Sequence, residues 1–223
     1  MTPSNEAASL RGENSPWETN VIIDESRNRI RERLREELEQ VCWALTRILG
    51  RQSRWSGFAD LSDDPNIRGA KPFRCDIVIN AILASQAERW RTLIHEMLHT
   101  FSEGYQPLDY MAFRGWEEGV VEQLQRTLRP AVLAELGINL DEAVFTAVET
   151  DHEYEEYVRA LEEMRESLGE ESLRFFSRLL AVPIRDRRQS VFEQGMALPT
   201  VRRRAFLGAY SSGDAILKTG TRR

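Results

Sequence analysis

Residues 85 to 104 constrain this chain more than any other stretch. Trp90, Leu93, Ile94, Met97, Leu98 and Phe101 recur at three- and four-residue steps, the pattern of a helix with one apolar stripe. Ser85-Gln86-Ala87-Glu88 has the Ser-x-x-Glu form of a capping box and predicts the helix start, and Gly104 predicts its stop. Within it stands His95-Glu96-Met97-Leu98-His99, which holds two of the chain's three histidines. On a helix, residues i and i+4 lie one above the other, so both imidazoles point the same way and can share one metal ion. Glu96 falls about 100° round the helix from His95. That places its carboxylate beside the metal rather than on it, where a general base for a metal-activated water stands.

Residues 73 to 80 precede this helix and are rich in β-branched and aromatic side chains, which reads as a strand. A catalytic metal site needs a third protein ligand and an open position. Glu118 follows His99 after eighteen residues, and Gly104, Pro107 and Gly115 let the chain turn in between. A second helix can then set a carboxylate against the two imidazoles. Glu117 would face about 100° away on that helix. Glu122, one turn on, is a competitor for the metal, and Glu103 reads as a solvated helix end.

In these residues the chain resembles the gluzincin metallopeptidases, whose ligands are His-Glu-x-x-His and a distant Glu. The eighteen-residue gap is similar to that of the aminopeptidase N type. Trp116-Glu117-Glu118-Gly119 resembles that group's Trp-x-x-Glu-Gly segment, with one residue fewer between Trp and Glu. The resemblance spans roughly residues 73 to 125. It implies one zinc ion held by His95, His99 and Glu118, with Glu96 as general base. By similarity to thermolysin-like members, it implies that Glu122 supports the first histidine from behind. A small sheet bordering the cleft, whose edge strand pairs with extended peptide, is implied as well.

Such chemistry needs a donor for the oxyanion besides the metal. Gluzincins commonly supply it from a Tyr or His beyond the third ligand. Asp151-His152-Glu153-Tyr154-Glu155-Glu156-Tyr157 offers the last histidine and two tyrosines. Tyr154 is the preferred donor and His152 the second, with Tyr105 and Tyr110 as rivals. Tyr157 also fits the apolar spacing of Val158, Leu161 and Met164, which reads as packing.

At 223 residues with 41% hydrophobic content, the chain can bury a proper core. The expected class is α+β and mostly helical: a zincin-like core with a small sheet and an active-site helix, followed by a helical C-terminal part. Residues 1–20 read as a flexible lead, 21–210 as one domain and 211–223 as a flexible tail. Within the domain, residues 67–128 form the expected active-site core and 129–208 a helical subdomain. A long amphipathic helix is expected from Asp24 or Ser26 to Gly50, and short strands near Phe58 and Ile67. After the third ligand, a helix is expected to stop before Pro130, and others cover 130–136, 141–168, 171–181, 184–194 and the stretch after Pro199. Arg202, Arg203 and Arg204 read as a solvated face, or else as a docking site for an acidic partner.

A net charge of −6 argues against general nucleic-acid affinity. The longest apolar runs fall well short of the roughly 18 residues of a membrane span. Cys42 and Cys75 form no metal pair and, without a signal-like segment, suggest a reducing, cytoplasmic setting. The expected activity is therefore zinc-dependent hydrolysis of a peptide or protein substrate. The alternatives are hydrolysis of a non-peptide amide, or a binding and regulatory role on the same scaffold without turnover.

Overall fold

The computed structural model of the protein describes residues 16–71, 74–149 and 153–219. The first helix, α1 (Pro16–Leu49), buries Leu34, Leu38, Val41, Ala44 and Leu45 along one stripe. Gly50, at φ +63°, ends it, and its N–H donates to the Thr46 carbonyl at 3.0 Å. The helix starts earlier than the expected Asp24 or Ser26, so residues 16 to 20 are not part of a flexible lead. Pro16 suits the first helical position, and no proline or glycine interrupts the residues that follow it. Residues 1–15 of that lead lie outside the described residues.

A small sheet follows, made of β1 (Ala59–Ser62), β2 (Gly69–Ala70) and β3 (Ile77–Asn80), in the order β1-β3-β2. β1 runs parallel to β3, with Ala59 opposite Ile77, and β2 pairs antiparallel to it, with Gly69 opposite Ile79. Ala59, Leu61, Ile77 and Ile79 are buried at alternate positions, so one face of the sheet joins the core. β2 is an edge strand, and it lies over the helix that comes next.

That helix, α2 (Arg89–Phe101), is buried at every position from Trp90 to Phe101. It starts later than the expected capping box. The Asn80 side chain accepts the N–H groups of Ile82 and Leu83 at 2.9 and 3.3 Å and starts a 3-10 turn over Leu83–Ser85. Ser85 Oγ donates back to the Ile82 carbonyl at 3.0 Å, so it has no role in capping α2.

Beyond α2 come α3 (Pro107–Ala112), opened by its proline, and α4 (Arg114–Glu135). α4 runs through Pro130, where the sequence predicts a break. A proline inside a helix costs about 3 kcal/mol. Burying Leu128, Val132 and Leu133, at about 1.5–3 kcal/mol each, offsets it. The pattern over 141–168 is divided between α5 (Ala143–Glu149) and α6 (Glu155–Leu168). Phe145 of α5 lies under the Arg129 guanidinium at 4.3 Å, while Leu161 of α6 meets α4 at Gly119. One straight helix could not serve both.

Three further helices close the fold: α7 (Ser172–Leu180), α8 (Ile184–Met196) and α9 (Thr200–Thr219). The Glu171 carboxylate caps α7 by accepting the N–H groups of Leu173 and Arg174. α9 extends to Thr219, so the described part of the expected tail, residues 211–219, is helical. Its end is held because Leu217 is buried against α4, where a Cβ on Gly115 would stand 2.5 Å from the Leu217 carbonyl oxygen. One core cluster runs from Leu34 of α1 to Leu217 of α9, and the class is mostly helical α+β. Among the described residues, no helix is long and apolar enough to cross a membrane.

Candidate metal centre

Helices α2 and α4 pack side by side and carry every residue of a buried cluster. His95 and His99 stand one turn apart on α2, their ring centroids 4.9 Å apart and their planes at 79°. Glu118 on α4 faces both: its Oε2 lies 3.2 Å from His95 Nε2 and 3.5 Å from His99 Nε2. Ligand atoms from the three side chains all fall within 4.8 Å of one another, so the group can bind a metal ion. Two imidazole nitrogens and one carboxylate oxygen are a donor set that suits a divalent transition metal.

Each histidine turns its other nitrogen to a carboxylate of α4. His95 Nδ1 lies 3.2 Å from Glu122 Oε2, and His99 Nδ1 lies 2.7 Å from Glu117 Oε1. A carboxylate there keeps the proton on Nδ1 and leaves Nε2 free to coordinate. Glu122 thus stands behind the first histidine, on the side away from Glu118. Glu117, some 100° from Glu118 on the helix, is no competitor for the metal and instead holds the second histidine.

Both supporting carboxylates are themselves held. Glu122 accepts two bonds from Arg91 Nη2, at 2.7 and 2.8 Å, and one from Arg126 Nε at 2.9 Å. Glu117 Oε2 accepts from Ser102 Oγ at 2.7 Å and from Arg187 Nη1 at 2.6 Å. Arg187 comes from α8, and its other nitrogen donates to Ser102 Oγ. Sequence reasoning missed Glu117, Ser102, Arg91 and Arg187 as parts of the site. Arg187 carries a signal in hindsight: it stands three after Ile184 and four before Val191, inside the buried stripe of α8.

The charges follow from these contacts. Burial disfavours an imidazolium, but hydrogen bonds to Glu118 and Glu122 outweigh it and raise the His95 pKa to about 8. For His99, the Glu118 charge and the bond to Glu117 likewise overcome burial and raise the pKa to about 10. Burial pushes Glu117 up, yet the Arg187 charge and the His99 bond bring it down to about 2. Glu118 is held well below its ordinary value, because the two histidines outweigh its burial. Without a metal the cage therefore holds protons between its carboxylates, and a cation that binds must displace them.

Glu96 shows the opposite balance: burial raises its pKa, with only weaker lowering from the histidines. It lines a cavity of about 450 Å³ together with His95, His99 and Glu118. Edge strand β2 forms one wall at very short range. A Cβ on Gly69 would lie 2.4 Å from Thr92 Cγ2 and 2.9 Å from Glu96 Oε1, so only glycine allows this approach.

Three tyrosines also line the cavity. Tyr154 stacks over His95, with ring centroids 5.7 Å apart at 12°, and its hydroxyl lies 3.5 Å from Arg114 Nη2. Tyr105 meets His99 edge to face at 5.7 Å. Tyr110 donates a short hydrogen bond to Oε1 of Glu118, which makes this rival donor a support for the third candidate ligand. Burial first, and neighbouring carboxylates second, raise the pKa of all three phenols, which therefore keep their protons. Tyr157 packs between α6 and α4, in contact with the position of Gly119. His152 lies outside the described residues. The arginine run has a structural role in part: Arg202 donates to the Leu168 carbonyl at the end of α6 and Arg203 to the Leu198 carbonyl, both at 2.9 Å.

Compared with known proteins, the chain matches no protein-family model, no curated protein and no solved structure.

Proposed function

We propose that this protein is a zinc metallopeptidase of the gluzincin type, working on a peptide or protein substrate in the cytoplasm. The observation that carries the reading is the convergence of two imidazole Nε2 atoms and the Glu118 carboxylate in one buried cage, beside the Glu96 carboxylate on the wall of the same cavity. Bound zinc would supply a lowered pKa for the attacking water and polarisation of the scissile carbonyl. Glu96, on the cavity wall beside the cage, would accept a proton from the attacking water and pass it on to the leaving nitrogen. The Tyr154 hydroxyl, kept protonated on the cavity wall, is the assigned donor to the oxyanion. Glu117 and Glu122 hold the rings in register, and Tyr110 holds Glu118.

The test combines metal content with peptide-library cleavage for the wild type and two variants. Glu96→Gln is expected to retain one zinc per chain and lose cleavage, and Glu118→Ala to lose the zinc. A zinc-loaded Glu96→Gln protein that cleaves as fast as the wild type would falsify the mechanism. Turnover of small amides but of no peptide would move the reading to a non-peptide amide hydrolase. Bound zinc with no turnover of either class would move it to a binding role.

A further inference from the structure

Of the 30 Lys and Arg side chains in the chain, only two are lysines, Lys71 and Lys218. Lys218 is half exposed and pairs with Asp214 at 2.8 Å. Lys71 directly follows edge strand β2 and is only 6% exposed. It lines the same cavity as Glu96 and His99. Its Nζ meets no oxygen or nitrogen acceptor among the described residues; its neighbours are the weakly accepting Cys75 sulfur and the Tyr105 ring, 3.1 Å away at the centroid.

This sets Lys71 apart from the other buried cations. Arg91 pairs with Glu122, Arg129 with Glu142 and Glu149, and Arg187 with Glu117. Two carboxylates act on Lys71 by charge without bonding it: Glu117, which already accepts from His99, Ser102 and Arg187, and Glu96, the base proposed for the same cavity. The Cys75 side chain also acts on it, by charge and as a weak sulfur acceptor, and Arg54 opposes it; neither supplies a carboxylate. Burial lowers its pKa, as expected for an ammonium taken out of water with no carboxylate bonded to it. An unpaired buried ammonium is costly, and a contact with an aromatic face recovers only part of that cost. The missing partner can come from the cavity, since that is the space Lys71 lines.

We infer that Lys71 anchors a carboxylate subsite, and that the substrate is a peptide with an acidic side chain or a free terminal carboxylate beside the bond that is cut. The subsite lies at the His99 end of the cavity, where Tyr105 joins Lys71 to the cage. A lysine ammonium is a compact point charge, suited to meeting a single carboxylate at the end of a narrow slot. Arg68 lines the same cavity from an exposed position and adds to its preference for anions. The peptide nature of the ligand rests on the proposed peptidase activity; the carboxylate recognition does not.

Two measurements separate these ideas. The first is kcat/KM for peptide pairs that differ only by Glu against Gln at each position flanking the scissile bond. A charge-assisted contact predicts a preference for Glu on the order of 10- to 100-fold in the wild type. In Lys71→Met the ratio should fall to near one, whatever the absolute rate, and Lys71→Arg should restore part of it. If the chain terminus is the ligand, the wild type instead prefers a free C-terminus over its amide and Lys71→Met does not; either Lys71-dependent preference supports the subsite. An equal preference in wild type and Lys71→Met overturns it.

The second measurement is the NMR signal of 13C-labelled lysine, read in the intact protein with Lys218 as internal reference. Millimolar N-acetylglutamate amide should move the Lys71 signal and leave Lys218 in place, whereas N-acetylglutamine amide should move neither. A Lys71 signal unmoved by the acid, or moved equally by both compounds, overturns the subsite. A moving signal without any peptide cleavage would sink the peptidase activity and leave the carboxylate subsite standing.

Discussion

The two histidines of the candidate centre look equivalent, yet they are held in different ways. His99 is fixed by Glu117, whose charge is met by Arg187 from α8, seventy residues along the chain, with both side chains fully buried. His95 is fixed by Glu122, whose arginines come from α2 and from α4 itself, and Arg126 is partly exposed. One support is a long-range contact sealed from water, and the other is built locally between the two site helices. The His99 support therefore ties the site to the C-terminal helices, while the His95 support can be perturbed with the fold left in place.

The largest expected effect tests the sealed side. Arg187→Met leaves Glu117 buried without its counter-charge and strips Ser102 of a donor. Breaking a buried pair this way costs about 3–5 kcal/mol. Urea denaturation of the variant should show that loss, and adding Glu117→Gln should recover part of it. A single variant as stable as the wild type would mean that the two supports do not differ as described.

On the local side, Glu122→Gln removes the charge behind His95 and the partner of Arg91. Metal affinity should fall about 10- to 100-fold, as is usual when the group behind a ligand histidine is altered. Stability should fall by only about 1–3 kcal/mol, because Arg91 keeps Glu149 at 3.6 Å and Arg126 keeps Glu155 at 2.7 Å. Competition with a chelator of known affinity, run beside denaturation, measures both. A stability loss larger than that of Arg187→Met would reverse the comparison.

The same contrast explains what could be read from the residues beforehand. His95, Glu96, His99 and Glu118 were legible because a helix repeats every 3.6 residues and the site uses that spacing. The strand before α2 and the mostly helical class were legible from local patterns as well. Arg187 and Lys71 were not, since their burial is set by tertiary packing and charged residues are ordinarily solvated. Pro130 was read as a stop because local propensity outvotes burial until the buried face of α4 is known. The capping box failed similarly: Asn80, five residues upstream, had already started a turn that used Ser85.

Gly69→Ala affects neither histidine support and so separates the base from the cage. Its methyl group would press on Thr92 and Glu96, at a cost of about 1–3 kcal/mol in strain. Metal binding should survive, while cleavage falls on the order of 10- to 100-fold through misplacement of the carboxylate. Full activity in a folded, metal-loaded Gly69→Ala protein would show that β2 does not set the position of Glu96.

The smallest effect is the sharpest check on how the His95 support is built. Arg126 reaches Glu122 at 2.9 Å from one turn along α4, but Arg91 makes two bonds to the same carboxylate from a more buried position. If Arg91 is the main counter-charge, Arg126→Met should cost about 0.5–1 kcal/mol, the range of a partly exposed pair. Metal affinity should change less than in Glu122→Gln, because Glu122 stays charged and stays on His95 Nδ1. The chelator competition used for Glu122→Gln reads this directly. A loss of affinity as large as in Glu122→Gln would mean that the carboxylate needs both arginines, and that the local support is as tightly interlocked as the sealed one.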